Sequence, residues 1–231
     1  MGKRHKKKRK RTTKAQKKQR MERNLKIGFI VLCLLAVILG IIKKVNPGLL
    51  AFRYFEISNK TIDASKPDIE VDLLTVNPYS RPGIETGKIN GIVVHYTANP
   101  GASAKANRDY FENLKDTHIT KTSSNFIIGL DGEIIQCVPT WEVAYASNNR
   151  NKDTVSIECC HPGENGKFTK ETYRSLVQLS AWLCMKFDLN EEDVIRHYDV
   201  TGKNCPKYFV ENEEAWQTFQ GDIRDALANT E

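Results

Sequence analysis

Two runs of β-branched residues in this chain end at a histidine, and their placement limits what the chain can fold into. Residues 89–96 hold Ile92, Val93 and Val94 in succession before His95, which predicts a buried strand. Residues 194–197 predict a second, shorter strand that stops at His197. Helical patterns alternate with these runs. Ser103 opens one over residues 103–114. Thr169 caps a longer one in which Tyr173, Leu176, Val177, Leu183, Cys184 and Phe187 recur at helical spacing. Trp216, Phe219, Ile223 and Leu227 stripe a last helix. Asp131-Gly132, between residues 124–130 and 133–138, is a strong hairpin signal, and residues 154–160 predict a further strand. No internal repeat is visible. The order of elements predicts an α/β fold, a single domain with a central mixed β-sheet flanked by helices. Ligands of such sheets gather at strand ends, where His95 and His197 stand.

Beyond His197 the chain continues Tyr198-Asp199-Val200-Thr201-Gly202-Lys203-Asn204-Cys205-Pro206, a turn-rich loop that brings in a cysteine. Two neutral imidazoles and one thiolate make a three-ligand zinc set with an open fourth position, the pattern of a catalytic site rather than a structural one. The expected cofactor is therefore Zn2+, with His95, His197 and Cys205 as metal ligands. Taken singly, a histidine in an apolar strand is more often a hydrogen-bonded core residue; three donors in register point to a metal. His161 follows Cys159-Cys160, but adjacent strand residues face opposite sides, so no second zinc site is expected there. His161 is instead a candidate for the groove lining, and Tyr96 and Tyr145 are others. Asp199 is expected to order the loop after His197 by an Asx-type turn, and His118 to lie at the surface.

These stretches together resemble the zinc-dependent N-acetylmuramoyl-L-alanine amidases of the amidase-2 class, which share their fold with peptidoglycan recognition proteins and phage lysozyme-type amidases. The resemblance is carried by Gly91-Ile92-Val93-Val94-His95-Tyr96-Thr97-Ala98, by Ser124-Asn125-Phe126-Ile127-Ile128-Gly129 with Asp131-Gly132-Glu133, by Ser156-Ile157-Glu158, and by Arg196-His197 through Cys205-Pro206. It covers the chain from about residue 75 onwards. It implies zinc on His95, His197 and Cys205, a water activated by Glu158, and Lys203 beside the scissile carbonyl. The substrate it implies is peptidoglycan, cut between N-acetylmuramic acid and the L-alanine of the stem peptide.

Elementary chemistry assigns the same roles. Zinc makes its bound water acidic enough to react near neutral pH. Amide hydrolysis also needs a group that takes a proton and returns it to the leaving nitrogen, and Glu158, on a strand among apolar residues, suits that task. Lys203 can stabilise the developing oxyanion together with the metal. Each has an ordinary alternative: Glu158 as a buried partner of Arg196, Lys203 as a solvated loop lysine. Some relatives carry a catalytic tyrosine where this chain has Ser124, which is too short to replace a phenol. Two other functions stay open, a non-catalytic peptidoglycan-recognition module and a structural anchor acting through the basic tail. Binding-only relatives often lose the third ligand, and Cys205 is present here.

Charge is distributed unevenly. Residues 1–26 hold fourteen Lys or Arg against one acid, Glu22, and the remainder carries 21 basic and 27 acidic side chains. The basic tail runs into residues 27–42, Ile27 to Ile42, without a charge. As a helix that run covers roughly 24 Å, and Lys26 and Lys43 can snorkel to reach the bilayer surfaces. No small-residue cleavage site follows it, which predicts an uncleaved transmembrane anchor rather than a signal peptide. The charge asymmetry places the N-terminus in the cytoplasm and the rest of the chain outside. Partners expected of the tail are the membrane and anionic lipid; it has no aromatic residue for base stacking, so no specific nucleic acid is expected. The domain layout predicted is a basic tail (1–26), an anchor (27–42), a connector (43–75) and a catalytic domain (76–231). Five of the six cysteines lie beyond the anchor, and Cys137, Cys159 and Cys184 are expected as buried thiols.

Overall fold

The computed structural model describes residues 61–230. The basic tail, the expected anchor and most of the connector lie outside the described residues; among those described, no helix is long and apolar enough to cross a membrane. Six strands form one sheet: β1 (Glu70–Val71), β2 (Ile92–Tyr96), β3 (Phe126–Ile128), β4 (Ile134–Gln136), β5 (Val155–Cys159) and β6 (Val194–Arg196). Their spatial order is β1-β4-β3-β5-β2-β6, with β3 and β4 antiparallel and every other neighbouring pair parallel. The helices are α1 (Ala104–Thr117), α2 (Lys170–Phe187), α3 (His197–Thr201), α4 (Lys207–Glu211) and α5 (Glu213–Ala228), with short 3-10 turns at Asn148–Lys152 and Glu191–Asp193. The expected mixed sheet flanked by helices is what the chain adopts.

Local signals explain the element ends. Ser103 caps α1 by accepting the Ala106 amide, and Thr169 caps α2 by accepting that of Thr172. Of the three long helices, α1 and α2 stop at a left-handed residue, His118 and Asp188, whose amide closes back onto the last turn. Gly132 carries the tight β3–β4 turn at φ 85°, and a Cβ there would meet the backbone of α2 at Glu171.

The two sheet faces are filled differently. Ile92 and Val94 of β2, Phe126 and Ile128 of β3, and Val155, Ile157 and Cys159 of β5 pack with Leu176, Leu179 and Leu183 of α2 and Trp216, Phe219 and Ile223 of α5. Strand side chains alternate, so Val93, His95, Ser156 and Glu158 turn to the other face. There α1 covers β3 and β4, packing Ala104 and Phe111 on Ile127 and Ile135. On that face β2 and β6 are bordered instead by α3, which also packs on the Asn148–Lys152 turn.

Two features depart from the sequence pattern. Residues 61–75, predicted as the end of a connector, pack on the domain. Ile62, Ala64 and Leu74 are buried, and β1 adds an edge strand to β4. The segment shows no apolar periodicity because only isolated side chains go inward; backbone bonds do the rest, with Leu74 N–H donating to the Cys137 carbonyl at 2.9 Å. His197, predicted to end a strand, opens α3 instead, because Asp199 accepts the Arg196 amide at 2.8 Å and starts the helical turn. All five described cysteines are free and buried.

Glu112 of α1 ties this early segment down. It accepts the Thr75 hydroxyl at 2.7 Å and the Thr75 amide at 3.0 Å, and pairs with Lys115 and Arg108. Burial alone would raise its pKa, but the Thr75 bonds, Lys115 and Arg108 outweigh that and hold it at about 2. A carboxyl depressed on folding contributes stability above its unfolded pKa, and that contribution disappears as pH falls through the folded value. Thermal melts of Glu112→Gln are therefore expected to fall below wild type at pH 7, with the gap closing between about pH 4.5 and pH 2.

Candidate metal centre

Parallel pairing sets the site. His95 of β2 lies in register with Glu158 of β5, and Val94 with Arg196 of β6, so His197 follows one step beyond. His95, His197 and Cys205 each offer one ligand atom, and the three atoms lie within 4.8 Å of one another. His95 Nδ1 is 3.8 Å from Cys205 Sγ, and the two imidazoles meet edge-on with centroids 4.7 Å apart. All three residues are buried. The outer nitrogens are engaged: His95 Nε2 lies 3.1 Å from Ser147 Oγ, and His197 Nε2 lies 3.1 Å from Asn148 Oδ1. His197 Nδ1 is buried with no hydrogen-bond partner.

Cys205 reaches the cluster on the loop after α3. Gly202 ends that helix at φ 77°, and Tyr198 N–H donates to the Cys205 carbonyl at 2.9 Å. Arg196 braces the same region. Its guanidinium binds Asp199 at 2.9 Å, Glu213 at 2.8 Å and the Phe209 carbonyl at 3.2 Å, and lies over the rings of Tyr198 and Trp216. Arg196 is thus committed to Asp199 and Glu213, and Asp199 orders the turn rather than facing the cluster.

Electrostatics of the cluster suit a cation. Burial, the neighbouring His197 and Lys203 push the His95 imidazole well below its usual pKa, and burial with Lys203 lowers that of His197. Both rings are therefore neutral donors at neutral pH. Burial and the nearby Glu158 carboxyl push the Cys205 thiol up to about 12, against the opposing Tyr96 amide and Lys203. Without a cation that sulfur stays a thiol; a bound cation is what favours the thiolate. A buried imidazole nitrogen without a partner and a soft donor set of two nitrogens and one sulfur fit zinc.

Glu158 stands beside the cluster on the same sheet face. Its Oε2 is shielded from solvent and has no hydrogen-bond partner, and burial lifts its pKa to about 8 although Lys203 pulls it down. Lys203 is exposed at the mouth, close enough to act on both imidazoles, the thiol and Glu158. Ser124 is fully buried, its hydroxyl donating to the Ser156 carbonyl at 3.0 Å. His161 is outside the ligand cluster: its Nδ1 donates to the Gly163 carbonyl at 2.8 Å and its ring tilts against Tyr96. His118 is exposed and stacks on Tyr79. The sequence pattern did not single out Ser147 or Asn148, which sit in a polar run resembling any surface turn and touch histidines 52 and 49 residues away.

The family model described as N-acetylmuramoyl-L-alanine amidase matches residues 85–208, more than half the chain. The chain belongs to this amidase family. N-acetylmuramoyl-L-alanine amidase CwlL of Bacillus licheniformis is 34% identical over 170 residues, covering 68% of this chain and 47% of that protein. N-acetylmuramoyl-L-alanine amidase BlyA of Bacillus subtilis (strain 168) is 31% identical over 176 residues, covering 67% of this chain and 46% of that protein. The chain thus spans about half the length of the curated relatives it matches. Among solved structures, the catalytic domain of XlyA superposes with a TM-score of 0.58 at 29% identity, covering 68% of this chain and 99% of that one. The structure of PlyL matches in fold with a TM-score of 0.60. His95, Glu158, His197, Lys203 and Cys205 all fall within residues 85–208.

Arg196 is the brace whose loss the site should feel first. Arg196→Ala leaves Asp199 and Glu213 without their cation and is expected to cost about 1–3 kcal/mol of stability, measured by chemical denaturation. Arg196→Lys should recover little of it, since an ammonium cannot serve two carboxylates and a carbonyl in the guanidinium's planar geometry.

Proposed function

We propose that this amidase-family chain hydrolyses the amide joining N-acetylmuramic acid to the L-alanine of peptidoglycan stem peptides, with a zinc ion held by His95, His197 and Cys205. The observation that carries the proposal is the meeting of three buried soft donors within 4.8 Å beside a carboxyl oxygen that has no partner of its own. Zinc supplies Lewis acidity there, polarising a carbonyl oxygen and acidifying water. Ionised by the field of a bound cation together with Lys203, which already pulls its pKa down, Glu158 would accept a proton from the attacking water and deliver it to the departing alanine nitrogen. The Lys203 ammonium, free at the mouth, offsets negative charge that grows on the carbonyl oxygen during attack. The backbone amide of Tyr96 donates to the Cys205 sulfur and tempers its charge.

Purified protein should carry one zinc per chain and release new alanine amino termini from peptidoglycan. Glu158→Gln is expected to keep the metal and lose about 10²–10⁴ in kcat, whereas Cys205→Ala should lose metal and activity together. Zinc retained by a wild-type protein that binds peptidoglycan without cutting it would replace this proposal with a recognition module.

A second proposal concerns location: a single N-terminal anchor holds the domain on the outer side of the membrane, with the basic tail against anionic lipid. Its support is the charge-free run at residues 27–42 behind fourteen basic residues. Removing residues 1–42 should shift the protein from the membrane pellet to the soluble fraction; a full-length protein already soluble would sink the idea.

A further inference from the structure

We propose that Asn148 is a positioning residue that fixes the tautomer of His197 and so aims its Nδ1 lone pair at the point shared with His95 and Cys205. The role rests on the metal-site assignment above. Its basis is the pair of outer contacts made by two consecutive residues, Ser147 Oγ to His95 Nε2 and Asn148 Oδ1 to His197 Nε2, each 3.1 Å.

The two contacts are chemically unequal. A serine hydroxyl can give or take a proton, so Ser147 accommodates either tautomer of His95. The Asn148 carbonyl oxygen can only accept, so His197 must carry its proton on Nε2 and leave a lone pair on Nδ1. Turning the amide round would let its nitrogen donate to Nε2 and force the proton onto Nδ1, which is buried and meets no acceptor. That arrangement would strand a donor and spoil a ligand atom at once. Asn148 therefore decides His197, while Ser147 follows whichever tautomer His95 takes.

The backbone is set up to hold it. Asn148 sits at φ 54°, in the left-handed region that asparagine tolerates better than most side chains. Asn151 Oδ1 accepts the amides of Ala146 at 3.1 Å and Ser147 at 2.5 Å, and Arg150 N–H donates to the Ser147 carbonyl at 3.0 Å. Arg150 also pairs with Asp153 at 2.9 Å, and the Asp153 carbonyl accepts Asn90 N–H at 2.7 Å just ahead of β2. The clamp is thus fastened to the strand that carries His95. Asn148 itself is exposed apart from its inward oxygen, so it can be changed without disturbing the core. Partners of this kind, which hold the far nitrogen of a ligating histidine, typically matter about 10–100-fold to metal affinity.

Three variants separate the acceptor from the backbone. Asn148→Gly keeps the left-handed conformation and removes the acceptor, Asn148→Asp keeps the acceptor, and Asn148→Ala removes the acceptor while straining the turn. Zinc affinity is measured by chelator competition, and the His197 tautomer by nitrogen-15 NMR of the metal-free protein, with thermal melts as the check on folding. Wild type should show His197 protonated at Nε2. Asn148→Gly should stay folded, lose that preference and bind zinc about 10–100-fold more weakly, while Asn148→Asp should match or exceed wild type. Wild-type affinity in Asn148→Gly, or a wild-type His197 protonated at Nδ1, would overturn the proposal. Wild-type protein that takes up no zinc at all would instead remove the metal site, and this role with it.

Discussion

The side-by-side parallel pairing of β5, β2 and β6 is the constraint from which the rest of the site follows. In a parallel ladder, residues in register point to the same face, so matching His95 with Glu158 brings a donor and a carboxyl together without any help from loops. The same register delivers His197 at the end of β6, one residue past the pairing of Val94 with Arg196. Slipping β5 by one residue would turn Glu158 into the α2 core and Ile157 toward the site. The apolar face, filled by α2 and α5, therefore does more than stabilise: it forbids the register in which the chemistry would be dismantled.

Burial then gives these groups their chemical character. The same removal from water that lowers the basicity of His95 and His197 raises the carboxyl of Glu158 and the thiol of Cys205. Four ionisable side chains are crowded together and all are pushed toward neutrality. A cluster of this composition holds neutral donors around an unpartnered imidazole nitrogen, with the Lys203 ammonium exposed at the rim.

Much of this was visible in the residues. Ser103 and Thr169 cap their helices as their side chains predict, and Asp131-Gly132 turns the β3–β4 hairpin. Both histidines could be picked out because each ends a β-branched run, and Cys205 because a turn-rich loop closed by proline follows the second. Other features carry no pattern. The edge strand Glu70–Val71 is two residues long and exposed, and residues 61–75 attach through main-chain bonds and a few isolated side chains that make no periodic pattern. The switch of His197 from strand to helix depends on a carboxylate three residues further on. Ser147 and Asn148 are small polar residues in a polar run, and only the folded path brings them to histidines some fifty residues distant.

That Ser147 and Asn148 are adjacent has a consequence for how the loop can vary. One peptide unit links the two outer contacts, so the contacts are geared together and a shift of that unit alters both. An insertion between β4 and β5 but outside residues 146–151 lengthens the path and leaves the gearing alone; an insertion between Ser147 and Asn148 separates the gears. Transplanting this loop into another scaffold would therefore succeed only if the dipeptide travelled intact with its Asn151 fastening.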